Sequence, residues 1–103
     1  MASGILGQAA PAATTNTTVY TVPASKLASF TVSIVNKGSS VTSTRLAIAS
    51  SGTPSNSEWI EYGAAIPANG VLERTGIVAQ AGENVVVYAS TGDLSVSVYG
   101  YEE

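Results

Sequence analysis

The sequence predicts an all-β protein, a single antiparallel β-sandwich of about seven strands. Residues 29–34 and 94–99 alternate between apolar and polar side chains, which is the period of a strand with one buried face. Turn segments that contain Gly or Pro recur along the whole chain after residue 22. No segment combines the apolar periodicity of a helix with capping residues at its ends. Short strands with regular breaks are typical of sandwiches, so we expect a jelly-roll or immunoglobulin-like arrangement.

Seven apolar segments account for the predicted strands in chain order. They are residues 18–22, 30–34, 45–48, 58–62, 72–79, 85–88 and 94–99. The turns between them lie at residues 23–26, 36–40, 51–54, 67–70, 81–84 and 91–93, where Pro presets φ and Gly or Asn tolerates positive φ. Residues 85–88 are apolar on both faces, which predicts a strand in the interior of a sheet.

The first 16 residues differ in composition from the rest. Small and polar residues surround Ile5 and Leu6, and such a segment buries too little apolar surface to order itself alone. Fully extended it would reach about 50 Å. We therefore divide the chain into an extended N-terminal arm, residues 1–16, and a sandwich domain, residues 17–103. The arm either binds a neighbouring subunit, with Ile5, Leu6, Gln8 and Pro11 as contacts, or is a terminus without a role.

Composition excludes several classes of function. The chain has no Cys and no His, which removes disulfides, thiolate sites, the usual general base and the commonest metal ligand. Four basic residues and a net charge of −3 argue against nucleic-acid binding. No apolar stretch approaches the roughly 20 residues of a membrane span, and the N-terminus lacks the features of a signal peptide. We expect assembly in the cytoplasm of a cell.

The acidic residues do not form a predicted catalytic pair. Glu58 and Glu61 would point to opposite faces of a strand, and Glu61 would lie beside Glu73 only if residues 67–70 closed a hairpin. No Gly-x-Ser-x-Gly elbow and no calcium-loop spacing is present. The sequence predicts no enzyme, no catalytic residue, no metal site, no cofactor and no small-molecule substrate.

Aromatic side chains are the remaining candidates for a binding surface. The candidates are Trp59 and the five tyrosines, Tyr20, Tyr62, Tyr88, Tyr99 and Tyr101. Of these, Trp59, Tyr99 and Tyr101 are the predicted interface residues, and Tyr99 and Tyr101 share one face of their strand. Tyr and Trp combine an apolar ring with a polar tip, so they suit protein interfaces and sugar stacking alike. Three roles stay open here: covering the ends of the sandwich, contacting a protein partner, and stacking on a sugar.

A resemblance to known proteins covers nearly the whole chain and rests on residues 7–18, 19–24, 58–62, 66–76, 86–90 and 98–103. In these segments the chain resembles small structural proteins of tailed bacteriophages of the marine and cyanobacterial type. Its opening and its 66–76 stretch are the most specific parts. Ser25 departs from the resemblance, because glycine is expected at this position in a Pro-Ala-Gly-Lys turn. The difference affects only the turn type.

The resemblance implies a virion protein. The leading hypothesis for its place in the particle is a capsid decoration or cement protein. It would bind the major capsid protein on the outer head shell, as a homotrimer, and would have no nucleic-acid or membrane partner. Related β-domains also occur in phage tails and fibres. The alternative is therefore a tail or fibre-tip domain that binds host-surface glycan.

Overall fold

The structure is a computed structural model that describes residues 3–103. Eight strands follow one another in the chain: β1 (Ser3–Ala9), β2 (Thr17–Thr21), β3 (Leu27–Asn36), β4 (Thr42–Ala49), β5 (Trp59–Ile66), β6 (Val71–Gln80), β7 (Asn84–Ala89) and β8 (Leu94–Glu102). The seven predicted strands correspond to β2–β8. The all-β prediction is confirmed, and none of the residues from 3 to 103 forms a helix that could span a membrane.

The strands form two four-stranded antiparallel sheets. Sheet A has the order β1-β8-β3-β6 and sheet B the order β2-β7-β4-β5. The first strand pairs with the last, the second with the seventh, the third with the sixth and the fourth with the fifth. The chain is thus one long antiparallel ribbon that folds across two sheets, which is the jelly-roll arrangement rather than the immunoglobulin-like one.

The core lies between the two sheets and consists mainly of aliphatic side chains. Its largest fully buried members include Ile34, Leu46, Ile66 and Leu94. Val85, Val86 and Val87 are all buried. Their strand, β7, lies between β2 and β4 inside sheet B, which is the position that the two apolar faces of residues 85–88 predict. The burial of apolar surface between the sheets is the main force that stabilises them.

The N-terminal segment differs from the arm that the sequence predicts. Residues 3–9 form β1, which pairs with β8 along the edge of sheet A, and the Thr14 amide then donates to the Ala89 carbonyl (2.7 Å). The physical reason is that β8 offers an unpaired edge, and Leu6 packs against the core when β1 occupies it. Gly7 permits the approach, because a Cβ there would collide with the Val19 carbonyl oxygen. Residues 1 and 2 of the predicted arm lie outside the described residues.

The turn at residues 67–70 joins the two sheets instead of closing a hairpin. Because β5 belongs to sheet B and β6 to sheet A, Glu61 does not lie beside Glu73. Glu61 forms an ion pair with Arg74, while the Glu73 carboxylate accepts a hydrogen bond from the Tyr99 hydroxyl (2.9 Å). In the 23–26 turn, Ser25 has φ +64°, so it adopts the left-handed conformation that glycine adopts most readily.

Candidate functional site

Four side chains form an aromatic ledge on the outer face of sheet B: Arg45, Trp59, Tyr62 and Tyr88. Arg45 lies opposite Tyr88 on one side and Tyr62 on the other, and Trp59 lies opposite Ala47. Residues 59 and 62 would face opposite ways on a regular strand. A bulge between them shifts the register of β5 against β4, so both rings lie on the same face as Arg45.

The ledge is held by stacking contacts. The guanidinium carbon of Arg45 lies 4.3 Å from the ring centroids of both Tyr62 and Tyr88, which is cation–π distance. The rings of Trp59 and Tyr62 meet nearly edge to face, with centroids 5.4 Å apart and an interplanar angle of 74°. Trp59 also packs on a small buried cluster of Ala47, Ala49 and Val86. The small alanine side chains leave room for the indole on the sheet.

The loop between β4 and β5 completes this site. The Glu58 carboxylate accepts hydrogen bonds from the backbone amides of Ser55 (2.8 Å) and Ser50 (3.0 Å), which closes residues 50–58 into a compact loop. These amides, that of Ser55 foremost, lower the pKa of Glu58 below its ordinary value. The loop presents Asn56, which lines an open depression of about 390 Å³ together with Trp59 and Tyr62.

The outer face of sheet A has a different character. Along β3 and β8 this face presents uncharged side chains only, and Ser29, Thr31 and Ser33 are directly paired with Tyr101, Tyr99 and Ser97. On β6, Val78 is 59% exposed and pairs with Ser29. The Glu73 carboxylate on this sheet is engaged by Tyr99, whose pKa the hydrogen bond raises. The result is a charge-poor surface that presents two tyrosines.

The predicted contact residues of the N-terminal segment separate into two pairs. Ile5 lies opposite Tyr99 and is 58% exposed, and Gln8 donates from Nε2 to the Ser97 hydroxyl (3.3 Å). Both residues therefore join the outer face of sheet A. Leu6 packs against the core and Pro11 is buried, so these two side chains contribute to the fold of their own chain.

The predicted interface aromatics lie on opposite sides of the molecule. Tyr99 and Tyr101 belong to sheet A, whereas Trp59 belongs to the ledge on sheet B. The sequence placed Tyr62 and Tyr88 among the candidate aromatics but not among the predicted interface residues, and it gave no site role to Asn56 or Arg45.

The bulge that brings Tyr62 onto the face of Trp59 lies between Trp59 and Glu61 and contains no glycine. Gly63, with φ +77°, belongs to a second shift in register between Tyr62 and Ala64. The sequence therefore carries no local signal of the bulge that forms the site.

Residues 3–103 contain no cluster of three or more acidic, His or Cys side chains of the kind that holds a metal ion. The polar groups brought together on the two outer faces are hydroxyls, amides, one stacked guanidinium and the Glu73 carboxylate, which accepts from Tyr99. Such groups bind and orient other molecules. Comparison with protein families, with curated proteins and with solved structures found no match for this chain.

Proposed function

We propose that this chain is a structural protein of a tailed-bacteriophage virion, a decoration protein that binds the major capsid protein and stabilises the outer head shell. The observation that carries the proposal is the outer face of sheet A, where Tyr99 and Tyr101 stand among uncharged side chains of β3 and β8. Depletion of charge and enrichment in tyrosine distinguish the centre of a protein interface from the rest of a protein surface.

Ile5 and Gln8 extend this surface onto the edge strand β1. In this proposal the contact with the coat subunit is made by the outer face of sheet A, and not by a free N-terminal arm that lies along that subunit. If the chain binds as a homotrimer, several weak contacts act together and raise the effective affinity for a repeating lattice. Jelly rolls occur in viral capsid proteins and in lectins, so the fold is compatible with the proposal without deciding it.

Imaging of the particle tests this placement. We expect electron cryomicroscopy of virions that carry a tagged chain to show the tag over the head surface, in numbers comparable to the major capsid protein. Heads assembled without the chain should lack this density and should rupture at lower temperature. A tag found only at the tail, or absent from purified virions, would refute the decoration role.

The second candidate is a tail or fibre-tip domain that binds host-surface glycan. The observation that favours it is the depression lined by Asn56, Trp59 and Tyr62, where two aromatic rings and an amide side chain converge. Sites for small ligands typically combine such apolar walls with a few polar groups. The two candidates differ in copy number, because tail tips occur a few times per particle and decoration proteins cover the whole head.

A further inference from the structure

We propose that the aromatic ledge binds an acidic saccharide, one whose ring carries a carboxylate or sulfate group. This inference deepens the second candidate function and does not depend on the capsid proposal, since it concerns the outer face of sheet B rather than that of sheet A. It assigns the sugar ring to the depression beside Trp59 and the acidic group to Arg45.

The depression offers the groups that a sugar ring requires. The exposed ring of Tyr62 and the half-buried indole of Trp59 supply apolar surface for the C–H groups of a pyranose, and their edge-to-face arrangement fixes the angle between them. The Asn56 side chain can both donate to and accept from sugar hydroxyls. A volume of about 390 Å³ accommodates one or two sugar rings.

Arg45 supplies the charge. Its guanidinium is fixed between the rings of Tyr62 and Tyr88, and within residues 3–103 it forms neither a salt bridge nor a side-chain hydrogen bond. The plane of the group is therefore oriented while its N–H donors remain available. A guanidinium in this state is suited to bidentate binding of carboxylate or sulfate oxygens.

The neighbouring carboxylates leave the Arg45 end of the ledge positive. Glu61 is paired with Arg74, away from the ledge. Glu58 precedes Trp59, at the end of the ledge farthest from Arg45, and its oxygens accept the loop amides of Ser50 and Ser55. The ligand is thus oriented, with its acidic group toward Tyr62 and Arg45 and its ring toward Trp59.

Fluorescence of the full chain provides the test, because Trp59 is the single tryptophan and reports directly on the site. The probes are trigalacturonate, a sulfated carrageenan oligosaccharide, neutral chitotriose and maltotriose, and sodium acetate and sodium sulfate without sugar. We expect the acidic oligosaccharides to bind with dissociation constants on the order of 1 mM, at least tenfold below those of the neutral sugars. The difference should shrink at high salt.

Variants separate the parts of the site. We expect Arg45→Gln to remove the preference for acidic sugars, and Arg45→Lys to retain only part of it because the planar fork is lost. Asn56→Ala should weaken all sugars without altering the fold, since Asn56 is exposed. Tyr101→Ala, an exposed aromatic on the other sheet, is the matched control and should bind as the wild type does. Thermal unfolding of each variant identifies any loss of fold.

The outcomes are distinguishable. Equal binding of neutral and acidic sugars would overturn the assignment to acidic saccharides while leaving glycan binding intact. Acetate or sulfate binding as tightly as the oligosaccharides would reduce the site to an anion site and overturn the saccharide. If no sugar binds, both this inference and the second candidate function fail. Both also fail if Trp59→Ala abolishes attachment to phage heads, because the ledge would then be a contact with the capsid protein.

Discussion

Tyr20 joins the two sheets from inside the core. Its hydroxyl on β2 donates to the carboxylate of Glu102 on β8, and its ring meets Phe30 of β3 edge to face, with centroids 5.9 Å apart. Both Tyr20 and Glu102 are buried. Burial, together with the hydrogen bond and the charge of Glu102, raises the pKa of Tyr20 well above its ordinary value of about 10.

This shift predicts a loss of stability in alkali. The unfolded chain releases the Tyr20 proton near pH 10 and the folded chain keeps it, so the folded state binds more protons above that pH. The titration of Tyr20 should therefore leave the free energy of unfolding constant below about pH 10 and lower it as the pH rises further. Chemical denaturation at pH values from 8 to about 11 measures this slope.

The variant Tyr20→Phe should make the slope shallower. The hydrogen bond to Glu73 also raises the pKa of Tyr99, so part of the dependence of stability on pH remains in this variant. At neutral pH we expect Tyr20→Phe to cost about 1–3 kcal/mol, because the buried Glu102 carboxylate loses its partner. Tyr101→Phe is the control, since that side chain is exposed. An unchanged slope in Tyr20→Phe would contradict the raised pKa of Tyr20, and an unchanged stability at neutral pH would contradict the contribution of the Tyr20–Glu102 bond.

Single residues also explain why the candidate site was only partly predictable from the sequence. Trp59, Tyr99 and Tyr101 are identifiable from residue type and strand period alone. Tyr62 joins Trp59 and Arg45 on one face only because an extra residue in β5 changes which side chains of that strand share a face. The pattern along one strand cannot reveal this, since a bulge is a property of two paired strands.

At the scale of elements, β1 is the part of the fold that the sequence does not reveal. Its seven residues, SGILGQA, lack a strand-like alternation and contain two glycines. The segment gains its structure from the free edge of β8 and from the packing of Leu6. The seven other strands have apolar faces of their own, so period and turn chemistry predict them. The choice of jelly roll depends on which strands pair, and local sequence does not specify pairing at long range.

Removal of β1 should therefore destabilise the protein. We expect deletion of residues 1–10 to lower the free energy of unfolding by at least about 2 kcal/mol, because hydrogen bonds to β8 and the burial of Leu6 are lost. Gly7→Ala should act in the same direction through the collision with Val19. Urea denaturation measures both effects.

The control for this deletion is Ile5→Ser. Ile5 is largely exposed, so its replacement should change stability by less than about 0.5 kcal/mol. The deletion should also expose the edge of β8 and promote association, which light scattering would detect. A truncated chain that is as stable and as monodisperse as the full chain would contradict the role of β1.

At the scale of the whole molecule, the two sheets present outer faces of different chemistry. Sheet A offers tyrosines, hydroxyls and exposed apolar side chains, and sheet B offers a fixed guanidinium beside a depression with aromatic walls. Because the core separates them, substitutions on one face should leave binding at the other unchanged. The two proposed activities, attachment to the head and binding of a saccharide, can therefore be tested separately.

Attachment of two matched valine variants to phage heads assembled without this chain tests the central claim most directly. Val78 lies on the outer face of sheet A and Val41 in the loop before β4, and the two are 59% and 62% exposed. We predict that Val78→Glu lowers attachment by at least about tenfold in a sedimentation assay, because the interface would have to desolvate a carboxylate, whereas Val41→Glu attaches as the wild type does. Equal attachment of both variants, or none by the wild type, would contradict the account.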